Sequence, residues 1–163
     1  MKKMIVLGLA IALSPAAAFA QSTTDADFAK NAAVGGMAEV QAGKLAMAHG
    51  SGDAKTIGQQ MVTDHTRMNM ELTALAKSKG MVLPTALDPT HTAMIEDLSK
   101  GSGRAFDNKY LKSQVTEHQK TIALFQQEAD HGADPDMKAL ATKALPALQQ
   151  HLNMFQAAAS KSS

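Results

Sequence analysis

The chain has 163 residues, 45% of them apolar and 19% charged, with a formal net charge of +1. That is the composition of one globular domain, and with 4% aromatic residues and no basic excess it argues against a nucleic-acid partner, which needs a cationic footprint or a stacking platform. The absence of Cys removes a disulfide framework, a thiolate metal site and a cysteine nucleophile, so stability has to come from packing.

Met1 to Ala20 reads as a secretory signal peptide. Lys2 and Lys3 give a basic start, Met4 to Leu13 an apolar run, and Ala18-Phe19-Ala20 a small-residue cleavage pattern before Gln21. The apolar run is too short to span a bilayer comfortably, and no later stretch reaches spanning length. No Cys follows the cleavage point to carry a lipid. The mature chain is therefore expected to be soluble outside the cytoplasm, with no transmembrane segment. Without Lys2 and Lys3 its net charge is about −1, too small for strong electrostatic steering.

Residues 21–163 are expected to form a single helical domain. Thr24 with Asp25 and Asp27 offers an N-terminal cap and acids in the first turn of a helix over 25–49, which stops at Gly50-Ser51-Gly52. A second helix over 53–79 ends in Lys77-Ser78-Lys79 and Gly80. Asp88-Pro89 opens a short helix over 89–100 inside a longer crossover. Two more follow, over 104–130 and, after Asp134-Pro135, over 135–159. No window alternates with period two, and Ala, Leu and Met dominate over Val and Ile. The class is all-α: a four-helix bundle with tight first and last turns and a short extra helix in the central crossover.

Each long helix carries a polar residue on its apolar face. At steps of three and four the second helix reads Ile57, Met61, His65, Met68, Leu72. The next long helix reads Leu111, Val115, His118, Ile122, Phe125, and the last Met137, Ala141, Ala144, Leu148, His151, Phe155. In the first helix, Glu39 falls opposite the polar stripe of Lys30, Gln41 and Lys44. Counted from the shared turns, Glu39 and His65 differ in height by about 3 Å, and His118 and His151 by about 6 Å. The spacing predicts one Glu and three His around a single point near mid-bundle.

Such a group needs a partner, because an unpaired buried carboxylate costs several kcal/mol and a buried imidazole needs both nitrogens satisfied. Two readings follow. Glu39, His65, His118 and His151 could bind a transition-metal ion such as zinc, copper, iron or manganese. Alternatively, protonated His answers Glu39 in a buried polar network of a non-catalytic structural or interaction protein, which locks helix register. Tyr110 and Gln114, two turns and one turn before His118, are candidate supporting hydrogen-bond partners, although a tyrosine with its hydroxyl at the rim explains Tyr110 as well. Met61 and Met68 flank His65, and Met154 follows His151, so thioethers could join a copper site or simply fill the core. Asp64 and Glu117 turn about 100° away from the core and rank behind as ligands. His49, His91 and His131 lie at helix ends or in the crossover and read as surface groups. Gly35, Gly36 and Gly43 read as permitting close helix approach. Pro146 lies inside the last helix and is expected to bend it near His151. An apolar-ligand carrier would need a cavity beside the Ala- and Gly-rich first helix.

The segments Asp27-Phe28-Ala29-Lys30-Asn31-Ala32-Ala33, Gly35-Gly36-Met37-Ala38-Glu39-Val40 and Gly43-Lys44-Leu45-Ala46 resemble the opening of the secreted bacterial family catalogued as domain of unknown function 4142. Met61 to Thr66, Phe106-Asp107 with Tyr110, Gln114-Val115 with His118, and Leu145 to Leu148 with His151-Leu152 carry the resemblance through nearly all of the mature chain. The resemblance implies a ferritin-like bundle and a cell-envelope location, periplasmic or outer-membrane-associated, rather than a reaction. Di-iron ferritin-like sites use two inward Glu-x-x-His pairs. Here none of the three core histidines has Glu three residues earlier, and the one such pair, Glu128 with His131, falls at the end of its helix. No Gly-x-Ser-x-Gly elbow or paired-carboxylate cleft supports a hydrolase, and no catalytic residue is assigned.

Overall fold

The computed structural model describes the backbone of residues 16–161 and side chains from Asp25 onward. Of the signal-peptide expectation, residues 1–15 lie outside the described residues. Five helices follow in order: α1 (Ala16–His49), α2 (Gly52–Ser78), α3 (Pro89–Ser99), α4 (Gly103–His131) and α5 (Pro135–Lys161). No helix among the described residues is long and apolar enough to cross a membrane.

The expected N-terminal cap at Thr24 does not begin a helix. The backbone of α1 is already helical at Ala16, in keeping with the strong helix propensity of an alanine-rich stretch. Elsewhere short-range chemistry sets the ends. The Asp88 carboxylate accepts from the His91 amide at 2.8 Å with Pro89 in the first turn of α3. Asp134 accepts from the Asp136 and Met137 amides at 2.9 and 3.1 Å before α5. α5 remains helical through Pro146.

Ties between helix ends define the topology. Ser51, in the α1–α2 turn, donates backbone and hydroxyl hydrogen bonds to Asp107 at the start of α4. Lys161 at the end of α5 pairs with Asp53 at the start of α2. At the other end Asp25 of α1 accepts from the Ala133 and Asp134 amides, and Lys79 pairs with Asp134 and Asp136. So α2 and α4 run the same way, and the crossover that holds α3 travels the full length of the bundle. α1 packs on α2 and α4, and α5 packs on α4 and α2, so neighbours are antiparallel.

The interior falls into two apolar clusters. One contains Ala42, Ala46, Ile57, Met61, Phe106, Tyr110 and Phe155. The other, toward the α4–α5 turn, contains Phe28, Ala32, Leu72, Phe125, Met137 and Leu148. On every long helix a buried polar residue lies between the two clusters: Glu39, His65, His118 and His151. Beside the first cluster Gly43 and Gly58 bring α1 and α2 together; a Cβ on Gly43 would stand 2.8 Å from the Gly58 carbonyl oxygen. A Cβ on Gly36 would run into Asn69, but one on Gly35 would meet nothing within 4 Å, so Gly35 serves no close approach.

Candidate metal centre

His65 on α2, His118 on α4 and His151 on α5 are each at most 3% exposed. Their ring centroids form a nearly equilateral triangle with sides of 5.6, 5.4 and 5.6 Å. Each offers one ring nitrogen within 4.8 Å of the other two.

Neighbouring groups set which nitrogen carries the proton. His118 Nδ1 lies 3.1 Å from the Gln114 carbonyl oxygen, which can only accept, so Nδ1 donates and the lone pair is on Nε2. His151 Nε2 lies 3.0 Å from Asp64 Oδ2 and donates across the α2–α5 edge, leaving the lone pair on Nδ1. The opposite nitrogens, Nε2 of His118 and Nδ1 of His151, are buried with no hydrogen-bond partner, as is Nε2 of His65. A buried polar atom left unpaired costs about 1–3 kcal/mol, so three at one level require an explanation.

Glu39 does not complete a four-residue ligand set. Its Oε1 lies 3.8 Å from His118 Nδ1, the nitrogen that faces away from the lone pair, and it is not among the groups within mutual reach. The reason is topological: α1 packs on α2 and α4 but not extensively on α5, which keeps its acid away from the His151 side of the group. With its amide NH2 turned toward α1, Gln114 donates to both Glu39 oxygens. Gln114 thus touches His118 through its carbonyl and Glu39 through its side chain.

Asp64 is 23% exposed and also lies 3.6 Å from Arg67, so it joins the buried ring of His151 to solvent. Tyr110 is fully buried rather than at the rim: it stacks on Phe106 at 5.6 Å, meets Phe155 edge-on, and its hydroxyl has no partner. Tyr110 shares its apolar cluster with Leu98 of α3, Phe106 and Phe155, which takes its hydroxyl away from the rim. Met61 belongs to the same apolar cluster as Tyr110, where it fills the core. His49 and His131 are exposed, whereas His91 is half-buried and bonds to its own capping residue Asp88 at 2.8 Å.

Burial keeps the layer uncharged at neutral pH. It pushes Glu39 up to about 8, with the Glu117 charge adding to the effect. It pushes His118 down to about 4, with help from His151 and opposition from the Gln114 carbonyl. Burial, then His118 and His151, hold His65 well below the usual imidazole range. In His151 burial outweighs the Asp64 hydrogen bond and lowers the pKa as well. The expected network built on an imidazolium paired with ionised Glu39 is therefore disfavoured, because a charged ring would lie in a dry layer beside two other rings. Neutral imidazoles are the form that binds metal.

One buried acid escaped the sequence reading. Glu128, expected at a loose helix end, is 1% exposed, and burial, then the neighbouring Asp25 charge and a side-chain hydrogen bond with Asp25, push its pKa up to about 7. Its position three residues after Phe125 continues the α4 core stripe, which is the signal that could have found it.

A crystal structure of a conserved hypothetical protein, rv2844, from Mycobacterium tuberculosis is similar over 86% of this chain and 93% of that one, with a TM-score of 0.68 at 12% identity. That likeness concerns the fold alone. No curated protein matches the chain. The family model described as Domain of unknown function (DUF4142) matches residues 10–158, spanning all four long helices and the histidine layer. A match of that length shows that the chain belongs to the DUF4142 family.

Proposed function

We propose that the protein holds one divalent transition-metal ion on His65, His118 and His151, as a secreted component of the bacterial cell envelope. The observation that carries this reading is a set of three buried imidazoles, one from each of three helices, each with a ring nitrogen within 4.8 Å of the other two and each with a buried nitrogen that has no hydrogen-bond partner. An ion accepting all three lone pairs would remove three desolvation penalties at once. Three neutral imidazoles suit zinc, copper, iron or nickel better than magnesium or calcium, which prefer oxygen. The Gln114 carbonyl and the Asp64 carboxylate would fix the ring tautomers, the usual role of groups behind metal-binding histidines. Glu39 adds a carboxyl beside the centre. The secretory assignment rests on the Lys2-Lys3 start, the Met4 to Leu13 run and the Ala18-Phe19-Ala20 pattern, and the proposed mature chain is residues 21–163 as one domain.

The test is elemental analysis of untagged protein purified without chelator, beside His118→Ala and His151→Ala. Stoichiometric metal in the wild type and its loss in both variants is the expected result. A metal-free wild type whose melting point ignores added zinc would overturn the proposal and leave a structural polar layer.

A further inference from the structure

A cavity of about 70 Å³ opens between α1, α2, α4 and α5, with Glu39 and His65 among its lining side chains. Around those two the walls are apolar, formed by residues such as Leu72, Phe125, Ala144 and Leu148. Toward solvent the lining includes Arg67, Glu71 and Lys143, with exposures of 54%, 37% and 67%. The cavity thus runs from the bundle surface to the histidine layer.

Gly35 keeps it open. An interior helix glycine costs roughly 1 kcal/mol relative to alanine, and Gly43 offsets this by allowing α1 and α2 to touch. Gly35 has no such compensation in packing, since a Cβ there meets nothing within 4 Å. What the missing side chain leaves is space in the cavity wall.

We propose that this cavity admits a monovalent anion of about three heavy atoms, which binds the metal at a position the three imidazoles leave free. The inference rests on the metal reading above. Three protein ligands with a fourth position open is the arrangement in which zinc-type centres accept an outside ligand. The volume sets the size: about 70 Å³ is roughly half of the ~150 Å³ cavity known to take up benzene. The centre sets the charge: three neutral imidazoles leave a divalent ion's charge uncompensated, which favours an anion at the open position, while at the mouth Arg67 and Lys143 are balanced by Glu71 and Asp64. The apolar walls favour a weakly hydrated ion over one with a tightly held water shell.

Azide titrated into the cobalt-loaded full chain tests this through the visible ligand-field bands of the cobalt. Wild type, Gly35→Ala and Gly35→Leu are compared, and both substitutions favour helix, so neither depends on a marginal fold. Azide is expected to shift the bands saturably in the wild type. Its affinity should weaken modestly in Gly35→Ala and by about tenfold or more in Gly35→Leu, as added methyl groups fill the space. Cobalt affinity should be the same in all three. An unchanged wild-type spectrum on adding azide, or equal azide affinity in Gly35→Leu, overturns the anion site while cobalt binding keeps the metal centre. A chain that takes up no cobalt overturns both.

Discussion

The bundle buries acids in two places with different solutions. At mid-height Glu39 is held by the Gln114 amide beside three clustered histidines, each with an unpartnered ring nitrogen. At the α4–α5 turn Asp25 accepts two backbone amides, from Ala133 and Asp134, while Glu128 sits behind it. A turn supplies unpaired backbone N–H groups, so a carboxylate there finds donors locally. Mid-helix backbone is already paired, so only side chains or a bound ion can satisfy a polar group in the middle. A polar layer at mid-bundle therefore asks for a ligand, whereas Asp25 at the end does not.

The sharpest test of that contrast is zinc added to the metal-free protein. At about a thousandfold excess over its dissociation constant it should stabilise folding by about 4 kcal/mol. Differential scanning calorimetry should show this in the wild type and in Glu128→Gln, and not in His118→Ala. Equal shifts in all three proteins would erase the distinction between the two regions.

The acid at the turn should show itself through pH. Folding raises the Glu128 pKa from 4.5 to about 7, so the folded state favours its protonated form. Its contribution is fully present below 4.5 and is lost as pH rises through about 7. Denaturant titrations should find wild type losing roughly 2–3 kcal/mol over that window relative to Glu128→Gln, which cannot ionise. His118 acts in the opposite sense in metal-free protein. With its pKa lowered from 6.5 to about 4, it stabilises above 6.5 and the benefit fades as pH falls toward 4. A wild-type minus Glu128→Gln difference that is flat with pH would show that Glu128 is solvated.

Asp64→Asn should weaken metal binding by about 10–100-fold without abolishing it, because the amide orients the His151 ring but supplies no charge. Competition with a colorimetric chelator measures this, and unchanged affinity would remove Asp64 from the centre. The smallest effect is expected from Asp25→Asn: about 1 kcal/mol of stability from the weakened amide contacts, together with a fall in the Glu128 pKa as its negative neighbour disappears. Carboxyl titration by NMR reads the second part. Metal affinity should stay as in the wild type.

Much of this architecture is legible in one dimension. Period-3.6 stripes place His65, His118 and His151 on buried faces, and the counts from the two tight turns put them at one level, because helix rise is constant. Asp88-Pro89 and Asp134-Pro135 mark α3 and α5 through contacts that reach only three residues. Glu128 lies on a readable stripe as well, but closeness to a helix end masks it until the Asp25 side chain is seen to cover it.

What the chain determines by itself is thus what depends on local repeat: helix lengths, apolar faces, and the level at which four polar side chains meet. Tertiary structure decides the rest. The crossover direction makes α1 adjoin α4 but pack little on α5, which leaves Glu39 behind the His118 ring instead of within the histidine triangle. Which imidazole nitrogen keeps a free lone pair depends on Asp64, 87 residues from His151 in sequence. Gly35 reads as a close-packing residue along the chain and becomes the wall of a cavity only when three other helices surround it. The physical reason is common to all three: ring orientation, acid placement and empty volume arise from contacts between helices, and the periodicity of one helix carries no information about its neighbours' side chains.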